Sequence, residues 1–307
     1  MEMRQMLCSE LNNLMEKNKD IVVLNADLSR PNGVSKLDEK YEERCINVGI
    51  AEQNMASIAA GMSSYGFIPF IITFTPFATR RICDQIAISI SYAKQNVKII
   101  GTDPGISAEY NGGTHMSFED IGVLRSIPDI VIFEPVDKVQ LKKSLPKIVE
   151  YNGPVYIRMF RKEIADVFYN DYNFDLFKAD VIQEGKDVTI LCTGIMVQEV
   201  IETNKRLKEK GIDAEIINVH TIKPIDKETI LKSVKKTGKV LVAENHNVIG
   251  GLYSAVCEFL SETYPVKVKH IGINDMFGQV GKMPYLKTVY NMRCEDIELA
   301  VESMLND

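Results

Sequence analysis

Apolar residues along this chain come in short, nearly unbroken runs separated by longer stretches of mixed character, not in strict alternation. The runs at 21–24, 44–48, 68–72, 97–101, 130–133 and 155–159 predict strands. A strand covered on both faces reads this way, the mark of a parallel sheet with helices on each side. From 161 to 180 the pattern lapses into Phe-, Tyr-, Asn- and Asp-rich sequence without periodicity, which reads as a linker crossing the surface. Further runs at 188–192, 214–219, 240–243 and 266–271 then enclose helical periodicities near 197–210, 226–236 and 252–264. The expectation is an α/β chain of two doubly wound units: a mainly parallel first unit over 1–165, a linker at 166–180 and a smaller unit over 181–307.

Length and composition narrow the class. At 307 residues, 45% hydrophobic and 25% charged, the chain has the make-up of a globular protein of about two domains. A net charge of −6 without a basic tail argues against a nucleic-acid partner. No apolar run is long enough for a membrane span, and the charged opening Met1-Glu2-Met3-Arg4 is unlike a signal peptide, so a cytoplasmic location with no membrane partner is expected. The six cysteines (Cys8, Cys45, Cys83, Cys192, Cys257, Cys294) are scattered, with no Cys-x-x-Cys pair, so neither disulfides nor a metal site is expected.

Chemistry first surfaces at 49–55, Gly-Ile-Ala-Glu-Gln-Asn-Met, which sets Glu52 where a strand turns into a helix. The small residues Ala51, Ala56, Ser57, Ala59, Ala60 and Gly61 suit a tightly packed helix there. Alone, an acidic first turn merely complements the helix dipole. Downstream, however, come Thr73-Phe74-Thr75-Pro76-Phe77, Gly112-Gly113-Thr114-His115 and Glu134-Pro135-Val136-Asp137, in that order.

Together these motifs resemble the pyrimidine-binding domain of the transketolase family, and the resemblance runs over nearly the whole chain. It implies dependence on thiamine diphosphate. Glu52 then corresponds to the carboxyl group that lets the cofactor's aminopyrimidine tautomerise, since a Glu in a mostly apolar pocket can share a proton with a ring nitrogen. Phe77 matches the ring that stacks on the pyrimidine, with Phe74 as its neighbour. Asp27, at the end of the first strand, falls beside the cofactor, where open α/β sheets place ligand contacts, although it could also cap the next helix. His115 matches the histidine that bonds the substrate near its reacting oxygen. His220, His246 and His270 lack such support, and His246 is expected in packing or a turn. Arg80 stands where the family often has an aromatic or a small residue.

The resemblance also extends to the substrate's anionic end. Arg4 and Arg161 match positions that hold the acceptor's phosphate. Where the family usually adds a His and a Ser on that phosphate and an Asp on the acceptor's hydroxyl, this chain has Asp103, Pro31 and Asn111, with Ser29 nearby to compensate. An Asp repels a phosphate dianion, so a less charged end such as a sulfonate, or an altered sugar, is expected.

The family's Gly-Asp-Gly segment, which holds the diphosphate through Mg²⁺, is absent from this sequence. The chain therefore resembles the C-terminal half of a split transketolase whose N-terminal half, on a partner chain, holds the diphosphate and the Mg²⁺, expected as an α2β2 heterotetramer. The implied activity is transfer of a two-carbon ketol unit from a ketose to an aldose. A deoxyxylulose-phosphate synthase, a 2-oxo-acid dehydrogenase β subunit and a non-catalytic assembly subunit are the alternatives.

Overall fold

The computed structural model describes residues 1–306. Six strands, β1 (Ile21–Asn25), β2 (Cys45–Asn47), β3 (Ile68–Phe74), β4 (Lys98–Thr102), β5 (Val131–Phe133) and β6 (Val155–Met159), run parallel in the spatial order β5-β6-β4-β3-β1-β2. Successive residues of β1 face opposite ways. Ile21 and Val23 pack with Met3, Leu7, Leu11 and Met15 of the helix Met3–Lys17 and with Leu141 and Leu145 of the helix Lys138–Glu150. Val22 and Leu24 pack with Met55, Ala56 and Ala59 of the helix Glu52–Ser64, and with Ile86 and Ile90 of the π-helical segment Gln85–Tyr92. Burial on both faces is why β1, β4, β5 and β6 read as apolar runs, whereas the edge strand β2 is only partly buried.

The second unit holds β7 (Asp180–Gln183), β8 (Val188–Cys192), β9 (Ala214–Asn218), β11 (Val240–Asn247) and β12 (Val268–Ile273) in the order β12-β11-β8-β9-β7. Its helices Met196–Glu209, Lys227–Thr237 and Leu252–Thr263 lie within a residue or so of their expected positions. Two strands escape the sequence pattern. β7 pairs antiparallel with β9, and β10 (Thr221–Lys223) leaves the second unit to pair antiparallel with β5, completing a seven-stranded first sheet. Both are short edge strands stabilised by partners remote in sequence, so local periodicity carries no trace of them.

Where the units meet, charge is buried. Arg158 of β6, wholly inaccessible, donates from Nε to Asp120 Oδ2 (2.7 Å), from Nη1 to Glu134 Oε1 (2.6 Å) and from Nη2 to the carbonyl of Asn245 (2.7 Å). Tyr156 Oη also donates to Asp120 (2.8 Å), and Thr193 of the second unit donates to Glu134 (3.1 Å). Burial pushes the Glu134 carboxyl up against the pull of Arg158. The Glu-Pro-Val-Asp segment is thus structural at both ends, since Asp137 caps the helix Lys138–Glu150 by accepting from the Gln140 N–H (2.7 Å). His246 is buried as expected, its Nε2 facing the Ile121 N–H (3.2 Å).

Candidate active site

Chain order reverses between β1 and β3, and the residues singled out from the sequence gather at the C-terminal ends of the parallel strands around that point. Such a point, where connections leave the sheet in opposite directions, is where open α/β sheets place a ligand crevice. After β2, Gly49 takes a left-handed conformation (φ +74°) and Glu52 opens the helix Glu52–Ser64, 4% exposed. Its Oε1 accepts from Arg81 Nη1 at 2.9 Å. The Arg81 guanidinium carbon in turn lies 3.8 Å from the centroid of the Phe77 ring.

Phe74 ends β3, and Pro76 at the start of the turn Thr75–Ala78 swings Phe77 back beside it, with ring centroids 6.2 Å apart. His115 closes the group edge-on, 5.3 Å from Phe77 and 6.1 Å from Phe74. The loop carrying it needs its glycines. Gly112 has φ +68°, and a Cβ on Gly113 would lie 2.7 Å from the Gly278 carbonyl of the second unit. Arg80 turns outward to Glu119 (2.6 Å) and the Thr114 carbonyl (3.4 Å), bracing that loop.

A second cluster adjoins the first through Phe74, whose ring centroid is 5.1 Å from the Arg161 guanidinium. Arg161 pairs with Asp103, and both Arg161 and Arg4 donate to the Pro31 carbonyl at 3.1 Å. Pro31, without an N–H, thus gathers two cations through its oxygen. Asp103 follows β4 in a left-handed conformation (φ +53°), and burial pushes its carboxyl up to about 6 against the opposing pull of Arg161 and Lys162.

Glu52, Phe77, Phe74, His115, Arg161, Asp103 and Arg4 therefore form one connected set, and Asp27, Ser29 and Asn111 stand outside those contacts. Asp27 is exposed, receives no helix to cap and is joined to Asn47 (3.0 and 3.3 Å), because the next helix starts only at Ser35. Ser29 lies in the turn after β1, where its carbonyl accepts from the Val34 N–H, and Asn111 is exposed beside Gly112. Arg81, unrecognised in the sequence, is the addition. Its position carries no regular signal, because a break at Thr79 (φ −132°, ψ −89°) separates the turn Thr75–Ala78 from the short turn Arg80–Ile82 that brings Arg81 back over Phe77.

The residues fit the pyrimidine end of thiamine diphosphate: a buried carboxyl group, an aromatic face and a histidine surround one crevice. Polar atoms of Asn25, Asn32 and Thr73, buried at these same strand ends, have no hydrogen-bond partner within the chain, as expected where a polar ligand is to be received. Among the described residues, no cluster of three His, Cys, Asp or Glu side chains is arranged to hold a metal ion, and no helix is long and apolar enough to cross a membrane.

Residues 1–166 match the family model "Transketolase, pyrimidine binding domain" and residues 177–297 match "Transketolase, C-terminal domain". The chain is 46% identical to the 6-deoxy-6-sulfo-D-fructose transketolase subunit SqwH of Clostridium sp. (strain MSTE9), over 94% of this chain and 90% of that one. It is 35% identical to an apulose-4-phosphate transketolase subunit from Phocaeicola vulgatus, over 89% and 87% of the two chains. A solved split-gene transketolase, described as an inactive beta4 tetramer, superposes with a TM-score of 0.91 at 40% identity, covering 100% of this chain and 98% of that one. A buried glutamate at a helix mouth, beside paired phenylalanines and a histidine on this two-unit frame, thus has its counterpart in sequence: the chain belongs to the transketolase family, as a subunit of the split type.

Proposed function

We propose that this chain supplies the pyrimidine-binding half of a thiamine-diphosphate transketolase and that a partner subunit supplies the Mg²⁺ and diphosphate half, the two assembling as α2β2. The observation that carries the reading is the juxtaposition of the buried Glu52 carboxyl with Phe77 and His115 at the crevice between β1 and β3. Thiamine diphosphate, when bound, supplies the nucleophilic carbon that takes up the two-carbon unit. Glu52 holds and exchanges a proton with the pyrimidine, Phe77 with Phe74 gives the ring an apolar face, and His115 donates or accepts a proton at the substrate oxygen. Asp27 borders the cofactor from the β1 side, with Ser29 and Asn111 lining the substrate's approach.

Arg4 and Arg161, converging on the Pro31 carbonyl, form the seat for the sugar's anionic end. Asp103 sits on Arg161 and subtracts charge from that seat, which favours a monoanion such as a sulfonate over a phosphate dianion. The 46% identity to a subunit whose name specifies a sulfosugar supports the same choice. The test is reconstitution. Mixed with its diphosphate-binding partner, the chain should bind thiamine diphosphate and transfer the ketol unit from 6-deoxy-6-sulfo-fructose in preference to xylulose 5-phosphate. Micromolar cofactor binding by the isolated chain would overturn the division of labour, and preference for the phosphate would overturn the substrate assignment.

A further inference from the structure

Arg81 meets two demands at once that belong to the cofactor's pyrimidine ring on the reading above. It presents a planar, donor-bearing cation 3.8 Å from the Phe77 centroid, and it places an N–H 2.9 Å from Glu52 Oε1. A pyrimidine ring seated here would ask for the same pair of partners, an aromatic face and the Glu52 carboxyl group. Arg81 holds one carboxylate oxygen and one face of the ring, so a cofactor that seats on that oxygen and that face must displace it. We propose that Arg81 is an internal stand-in for the pyrimidine ring, holding its place between Phe77 and Glu52 and swinging out as the cofactor seats.

Three features make the exchange practicable. The Arg81 side chain is 43% exposed against 4% for Glu52, so the arginine has solvent to move into while the carboxylate stays fixed at its helix mouth. Its backbone is anchored, the carbonyl accepting from Gln53 Nε2 (3.2 Å), so the motion is confined to the side chain. The adjoining Arg80 is already committed to Glu119 and the Thr114 carbonyl and cannot replace it. In the cofactor-free chain the contact also spares Glu52 from lying buried without a counter-charge, a costly state. The cost appears on binding, because a site competent only when Arg81 is out has its apparent affinity reduced by the fraction of time it is out.

The inference rests on the proposed function and is tested on the reconstituted pair with its partner subunit. Thiamine diphosphate with Mg²⁺ is titrated calorimetrically into the wild-type, Arg81→Met and Arg81→Lys complexes, with melting temperatures recorded. Arg81→Met should tighten binding about tenfold, the size of an ion pair plus a cation–π interaction removed from the competing state. Arg81→Lys, keeping the charge without the planar fork, should fall between. In a Glu52→Gln background, where the ion-pair part of the hold on Arg81 is gone and the contact with Phe77 remains, removing Arg81 should tighten binding by less than it does in the wild-type complex. Weaker or unaltered binding by Arg81→Met in a folded complex would overturn the proposal, and should that variant fail to assemble, unaltered binding by Arg81→Lys does so instead. A wild-type pair that binds no cofactor would overturn the functional reading itself.

Discussion

Arg158 and Arg81 each answer a buried carboxylate, and they do so in opposite ways. Arg158, wholly buried, spends its guanidinium on Asp120, Glu134 and the Asn245 carbonyl, each lying between strand ends of one unit and the face of the other. Arg81 gives one N–H to Glu52 and leaves the rest of a 43%-exposed side chain to an aromatic ring and solvent. The first arrangement has a partner for every charge and nothing to exchange. The second can be taken apart from its arginine side, which solvent already reaches, provided that an incoming group takes up the buried carboxylate. A saturated ionic cluster holds two units in one relation, whereas an undersaturated one is suited to receive something else.

Replacing Arg158 by Met should have the largest effect, because Asp120 and Glu134 are then buried without their cation. A loss of roughly 3–5 kcal/mol is expected in the urea unfolding of the chain; a midpoint close to wild type would mean that the cluster is not what joins the units. Glu52→Gln tests the other side of the contrast. Turnover of the reconstituted enzyme should fall on the order of a hundredfold or more, with assembly retained. Near-normal turnover would remove Glu52 from the chemistry. A gentler change is Asp103→Asn, which frees Arg161 of its carboxylate while Arg4 keeps its pair with Glu2 (2.6 Å), and should shift the ratio of kcat/KM for phosphate over sulfonate donors upward by about tenfold. An unmoved ratio would show that Asp103 only positions Arg161.

The smallest expected effect is a pH slope. Within the buried region Glu244 accepts the N–H groups of Leu252 and Tyr253, yet burial pushes its carboxyl up to about 7. Its ordinary value is about 4.3. A carboxyl that holds its proton more tightly when folded contributes stability that is full at low pH and is lost as pH rises through 7. His246, depressed to about 4 from 6.5 by burial, works the other way and gains stability as pH rises over that range. The folded histidine is already neutral there, so its gain ends once the histidine of the unfolded chain loses its proton near its ordinary value of 6.5, and above that the decline from Glu244 stands alone. Glu244→Gln should flatten it in urea midpoints measured from pH 6 to pH 8, a window that spans the value of about 7. A slope identical to wild type would refute the assignment.

The same contrast explains what could be read from the sequence. The central strands and the group Glu52, Phe74, Phe77 and His115 were legible, the strands as apolar runs buried on both faces and the group as motifs in a fixed order. Arg81 was not, since an arginine a few residues past an aromatic reads as a solvated charge until the chain folds Glu52 against it. Arg158 left a trace in its strand, Val-Tyr-Ile-Arg-Met, where a charge interrupts residues buried throughout. Such an interruption implies a buried counter-charge, but only the tertiary structure identifies Asp120 and Glu134 as its bearers. β7 and β10 stayed hidden for a related reason, their order coming wholly from distant partners.

The pairing of β10 with β5 has a consequence for how the molecule comes apart. The connecting segment that precedes β7 is where a protease would find irregular backbone, yet cutting there would leave the first sheet still capped by a strand from the far fragment. The two pieces should co-elute after limited proteolysis. Expressed on its own, the N-terminal piece would carry a bare strand edge along β5, open to pairing with another copy and so to aggregation.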